Sequence, residues 1–292
     1  MRDYCLAVGS SANFPMSYYE QRGIQCFDVP YTIDNEVHDR EHPLSYADFY
    51  ARLRAGQTAS TPAPSLERAE DFLRQIIIEK DEDIIFLTIS SKLGYINDVM
   101  RRAAANVSHE FPDHRITVID SMCAAFGEGL LVSMAAHFKQ KGFSYDENIR
   151  WIEQLKHHVI HFFFTEDLNA LQRNHKISRF AAFLGIIADV KVLFHLDNNG
   201  AITPFKLIST RKTSMRTMVE NMGPRLQANN YKKKNKTIYI CHGDCEKDAI
   251  ALTEMIKREY GYTDFVIEPL SPILGGYTGP GTLAIFFMGE YR

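Results

Sequence analysis

Asp83-Ile84-Ile85-Phe86-Leu87-Thr88-Ile89-Ser90-Ser91-Lys92-Leu93-Gly94-Tyr95 is the stretch on which the reading of this chain turns. A short, nearly continuous apolar run reads as a strand buried on both faces, as in the middle of a parallel sheet. It stops at two serines, and helical spacing follows from Tyr95 to about Ser108. Ligands of open α/β sheets bind at the carboxyl ends of the strands. The next helix turns its unpaired N–H groups toward that point. Ser90 and Ser91 therefore add hydroxyl donors to a place suited to an anion. The plainer reading makes them turn and cap residues.

Upstream, Tyr4 to Val8 and Ile24 to Val29 read as strands, the first ending in Gly9-Ser10-Ser11. Helical spacing covers Pro15 to Arg22, the residues after Ser45 as far as Gly56, and Ser65 to Glu79. Gln57 to Ser65 is a hydroxyl- and proline-rich loop, since its prolines exclude a continuous helix. Downstream, Arg115 to Ile119 is a strand ending at Asp120-Ser121, and Phe126 to Gln140 is helical. This alternation predicts a doubly wound parallel sheet. The strand-end residues Ser10, Ser90, Ser91 and Ser121 would share one edge of it as a polar rim.

After the helix Tyr145 to His158 the pattern changes. Val159 to Thr165 reads as a strand, and Glu166 to Gln172 and Phe180 to Ile187 as short helices. Lys191 to Leu196 and Ala201 to Leu207 flank Asp197-Asn198-Asn199-Gly200, a β-hairpin signal. A helix from about Thr213 to Met222 precedes the run Tyr231 to Lys236, read as a solvated lysine-rich loop. A strand, a helix and a strand follow, from Thr237 to Pro269. Ile273 to Gly281 reads as a tight glycine turn before the apolar Thr282 to Met288. The expectation is an α/β protein with an N-terminal domain over 1–160 and a second α/β domain over 161–292.

The chain has 292 residues, 45% of them hydrophobic and 24% charged, with a net charge of −3. It lacks the basic excess of a nucleic-acid binder. No apolar run approaches the roughly 18 residues of a membrane span, and MRDYCLAV lacks a signal-peptide layout. Five sparse cysteines fit free thiols in a reducing compartment, so the expected location is cytoplasmic. There is no P-loop, no G-x-G-x-x-G after the first strand and no G-x-S-x-G elbow. Cys241-His242-Gly243-Asp244-Cys245 has soft ligands close together but no second pair at zinc spacing, so no metal is expected. His38 with His42, and His157 with His158 and His161, read as surface histidines.

The order and spacing of several blocks resemble the DegV proteins, a fatty-acid-binding family that includes the carrier subunits of bacterial fatty acid kinases. The blocks are the serines near residue 10, Thr61-Pro62-Ala63-Pro64-Ser65, Ile89-Ser90-Ser91-Lys92-Leu93 and Val118-Ile119-Asp120-Ser121. Later come Asp167-Leu168-Asn169-Ala170-Leu171 with Lys176-Ile177-Ser178, and Tyr277-Thr278-Gly279-Pro280-Gly281. The resemblance covers essentially the whole chain. It implies a long-chain fatty acid held between two α/β domains, no cofactor, no catalytic residue and a fatty acid kinase as partner. It places the carboxylate on Thr61 and on Ser91 with Ser90. It makes Ser10, Ser121, Lys176, Tyr277 and Thr278 head-group or partner contacts. Phe162, Phe163 and Phe164, with Phe180, Phe183, Leu184, Ile186 and Ile187, would line the acyl tunnel.

This chain departs from the family pattern in four places. Gly9 replaces an aspartate, and Leu93-Gly94-Tyr95-Ile96 stands for L-S-G-T. Lys176 replaces an arginine, exchanging a forked donor for a point charge. Tyr277 replaces a histidine. Two other classes of function remain open on the residues alone: an enzyme using Ser91 or Ser10 as nucleophile, and a divergent relative with a regulatory role.

Overall fold

The computed structural model describes residues 2–173, 191–227 and 231–292. The first half runs β1 (Tyr4–Gly9), α1 (Met16–Gln21), β2 (Gln25–Phe27), β3 (Tyr31–Ile33), β4 (Glu36–His38), α2 (Tyr46–Arg54), β5 (Ala59–Ser60), α3 (Leu66–Lys80), β6 (Asp83–Thr88), α4 (Ile96–Glu110), β7 (Ile116–Asp120), α5 (Phe126–Gln140) and α6 (Tyr145–Leu155). The second runs β8 (Val159–Phe164), α7 (Leu168–Arg173), β9 (Lys191–Leu196), β10 (Ile202–Ile208), α8 (Arg211–Gln227), α9 (Tyr231–Lys234), β11 (Ile238–His242), α10 (Glu246–Tyr260), β12 (Phe265–Pro269), α11 (Pro272–Thr278) and β13 (Leu283–Met288).

The apolar run is an interior strand, with every residue of β6 buried. It lies in a parallel sheet of order β2-β1-β6-β7, where Leu87 pairs with Val8 on one side and Ile119 on the other. Helices α2 and α3 start where the sequence puts caps. Ser65 accepts from the Arg68 amide, and Ser45 does the same for Asp48 at the start of α2. The second sheet has order β10-β9-β8-β13-β11-β12. Its β11–β12 pair is parallel and the other pairs are antiparallel, and the expected hairpin is β9–β10.

Alternation along β8 and β13 divides the second sheet into two apolar faces. Phe162, Phe164, Ile285 and Phe287 pack toward α8 and α10. Val159, Phe163, Ala284 and Phe286 join one core cluster with Leu6, Val8 and α5 of the first half. Helix α5 carries buried residues all around it, including Phe126, Leu130, Leu131 and Val132. A helix apolar on every side has to lie inside. Here it sits between the two sheets.

Three expectations need correction. His38, read as a surface histidine, lies half-buried on a strand, in a small antiparallel sheet of order β4-β3-β5 to which the sequence reading gave no element. Strands of two or three residues are too short to show alternation. Tyr31, Ile33, Phe49 and Tyr50 hold this sheet by packing. Second, Pro272–Thr278 is a helix, and the glycine turn begins only at Gly279 (φ +77°). Gly275 and Gly276 serve close packing: a Cβ there would lie 2.5 Å from Tyr50 Oη and 2.9 Å from Ala59 Cβ. Third, the lysine run opens with a helical turn, not a loop, because Tyr231 is buried and stacks on His158. The expected helix Phe180 to Ile187 lies outside the described residues. Among the described residues, no helix is long and apolar enough to cross a membrane.

Candidate functional site

A cavity opens between the two sheets. The space between its lining atoms, solvent-facing mouth included, is about 1070 Å³. Ile89, Leu93 and Ile96 form one wall, and Leu270, Ile273 and Leu274 another. Phe163 and Phe286 supply the wall from the second sheet, and Leu196 and Ile202 that from the hairpin. No Lys or Arg lies among the described lining residues. Such a concave apolar site with few polar groups is the usual form of a small-molecule pocket.

The segment after β5 brings Thr61 to this cavity, together with Pro62, Ala63 and Pro64. Thr61 Oγ1 donates to Ile273 O at 3.2 Å, and Tyr277 Oη donates to Thr61 O at 3.2 Å. Burial raises the pKa of the Tyr277 hydroxyl. Thr278, one residue on, also lines the cavity and donates to Leu274 O at 3.3 Å. Thr61, Tyr277 and Thr278 are therefore gathered at one wall, as the sequence blocks suggest.

The serines lie elsewhere. Ser90 is fully buried; its Oγ donates to Gly200 O at 2.8 Å and accepts from the Lys92 amide at 3.2 Å. Ser91 is exposed, and its amide donates to the Asp120 carboxylate at 3.3 Å. Ser10 Oγ accepts from the Val29 amide at 3.0 Å, and Ser121 Oγ from the Cys123 amide at 3.1 Å. None of these four lines the cavity. For Ser90 the reason is tertiary: the β9–β10 turn covers it at the end of β6. A Cβ on Gly200 would lie 2.3 Å from Ser90 Oγ. Arg292 fastens the same place, donating to Met122 O at 2.7 Å and Asp197 O at 3.0 Å. Phe162 and Phe163 line the cavity, whereas Phe164 packs behind the second sheet. Lys176, Phe180, Phe183, Leu184, Ile186 and Ile187 lie outside the described residues.

Two cavity features went unread in the sequence. His161, expected at the surface, is 2% exposed and lines the cavity. It can reach α5 because Gly127 has no side chain: a Cβ there would sit 2.0 Å from His161 Nε2. Nε2 accepts from the Ala124 amide at 3.2 Å, so the proton belongs on Nδ1, which faces Val159 O at 3.3 Å. Burial first, then the charge of Arg292, holds this ring far below the usual histidine range and neutral. The second feature is Ser11, whose Oγ donates to Glu128 Oε2 at 2.8 Å. Glu128 is wholly buried, and burial raises its carboxyl well above 4.5. A lone carboxylate opening the apolar run Gly127-Glu128-Gly129-Leu130-Leu131 was the signal available.

The departures at Gly9 and Ile96 turn out to be neighbours. A Cβ on Gly9 would lie 3.2 Å from both Ile96 Cδ1 and Ser11 Oγ. The branched Ile96 thus occupies space beside a residue with no side chain. At the other end of the chain's motifs, Cys241 is fully buried and faces Asn13 Nδ2 at 3.4 Å. Among the described residues, no group of three His, Cys, Asp or Glu is placed to hold a metal ion.

The DegV family model, described as "Uncharacterised protein, DegV family", matches residues 6–290. The chain belongs to the DegV family. A DegV domain-containing protein of Clostridium perfringens is 30% identical over 100% of this chain and 99% of its own length. The fold is that of solved DegV structures. A fatty acid binding DegV family protein from Streptococcus agalactiae superposes with a TM-score of 0.88 at 20% identity, over 99% of this chain and 100% of that one. A stearic acid-binding protein from Eubacterium ventriosum does so at 0.83 and 16% identity, over 97% and 98%.

Proposed function

We propose that this DegV protein is a non-enzymatic carrier that holds a long-chain fatty acid in the cavity between its two sheets. Its domains are taken as 1–160 and 161–292. The observation that carries the reading is the apolar cavity itself, with Thr61 and Tyr277 gathered at one wall. The acyl chain supplies the affinity, at about 0.8 kcal/mol per buried CH₂. The names of the similar proteins, several called fatty acid binding, support the ligand class. At the head end the Thr61 hydroxyl turns from Ile273 O to the carboxylate, and Tyr277 and Thr278 flank it. A carboxylate held there by hydroxyls suits presentation to a fatty acid kinase.

The serine-nucleophile alternative gains nothing from the geometry. Among the described residues, Ser10, Ser90 and Ser91 have no histidine as hydrogen-bond partner. Native mass spectrometry of the purified chain should show a fatty acid bound one to one. Ala284→Phe, which pushes a ring into the cavity from β13, should abolish that adduct while far-ultraviolet circular dichroism stays unchanged. Delipidated protein with no affinity for palmitate or oleate would sink the proposal.

A further inference from the structure

The polar atoms of the cavity wall differ in what they have left to offer a ligand. Thr278 and Thr282 donate to main-chain carbonyls within their own segment, and both ring nitrogens of His161 face main-chain partners. Thr61 and Tyr277 belong to the head end already described. Ser11 stands apart. It follows β1, it is 3% exposed, and it lines the cavity. Its one proton goes to Glu128 Oε2 at 2.8 Å, and among the described residues no donor reaches its Oγ. Behind it, Glu128 Oε1 is buried with no partner among the described residues. A wall that met only methylene groups would need neither residue, and a buried carboxyl is costly.

Resting on the carrier reading, we propose that Ser11 Oγ accepts a hydrogen bond from a hydroxyl on the bound acyl chain, so that the cavity prefers a hydroxylated fatty acid to the plain acid of equal length. The ligand O–H points at Ser11 Oγ, whose own O–H points at Glu128 Oε2, so both hydroxyl protons meet acceptors. Such aligned bonds reinforce one another in a low-dielectric interior. A plain chain leaves the Ser11 lone pairs against CH₂ groups, and a buried polar group without its partner is penalised.

The test uses the full delipidated chain, titrated with stearate and with positional isomers of hydroxystearate. At least one isomer should bind about tenfold more tightly than stearate, the worth of one buried hydrogen bond. Ser11→Ala should erase that gap, bringing the favoured isomer level with stearate. Glu128→Gln should keep it, because the amide carbonyl still accepts from Ser11. If Ser11→Ala fails to fold, Ser11→Cys replaces it, since a thiol is a weak acceptor of similar shape. Stearate binding with no preferred isomer overturns the inference and leaves the carrier reading standing. So does a preference that survives loss of the Ser11 hydroxyl. A chain that binds none of these acids overturns both.

Discussion

Replacing Thr61 by valine keeps the branched shape and removes one donor at the head end of the cavity. The effect on affinity is a difference between two states. On the proposed reading, the hydroxyl makes a charge-assisted bond to a carboxylate when ligand is bound, worth about 1.5–3 kcal/mol; without it, the same hydroxyl makes a neutral bond worth about 0.5–1.5 kcal/mol. The neutral partner is Ile273 O at 3.2 Å. The net loss on binding is then about 1–2 kcal/mol, or about 5- to 30-fold in Kd. Thr61→Val should also unfold more easily by roughly the neutral bond, about 0.5–1.5 kcal/mol. Isothermal titration of delipidated protein with palmitate measures the first effect, and urea denaturation the second. Ser91→Ala is the discriminating control. Ser91 is exposed and outside the cavity wall, so its loss should leave palmitate affinity unchanged. If Thr61→Val binds palmitate as tightly as the parent, the carboxylate does not lie at Thr61. If Ser91→Ala alone weakens binding, the carboxylate sits at the end of β6.

Glu128→Gln should change the pH dependence of stability. Burial, joined by the charge of Asp120 and opposed by the Ser11 hydrogen bond, raises the folded-state pKa above its ordinary 4.5. The neutral carboxyl's contribution is thus fully present below 4.5 and is lost as pH rises toward the folded value, by about 1.4 kcal/mol per pH unit. Glutamine does not titrate, so the variant should gain on the parent from acid to neutral pH in urea midpoints; parallel profiles would refute this. At the covered end of β6, Gly200→Ala should cost about 1–3 kcal/mol, because its Cβ meets Ser90 Oγ at 2.3 Å on a residue with φ +77°. Ser90→Ala should cost about 0.5–1.5 kcal/mol. In denaturant melts the double variant should lose less than the sum, since removing the hydroxyl relieves the clash; strict additivity would show that the two residues do not touch in solution.

The sequence by itself determined the local elements and the class of fold. The apolar run at Phe86 reads as an interior strand and Asp197 to Gly200 as a hairpin turn, because burial and turn chemistry are written in adjacent residues. It also placed Thr61 and Tyr277 as candidates, through short blocks whose order matches a family. What it did not contain was the partner across each gap. Ser90 looked like a ligand donor because it ends a strand, yet a carbonyl 110 positions away takes its proton. His161 looked like one of three surface histidines, yet a glycine on α5 draws it inside. Gly9 and Ile96 looked like separate departures and are one contact. Hydrophobic period and turn propensity act over a few residues, whereas a hydrogen bond or a cavity is made by whatever the docked sheets bring face to face. Only the tertiary structure decides that.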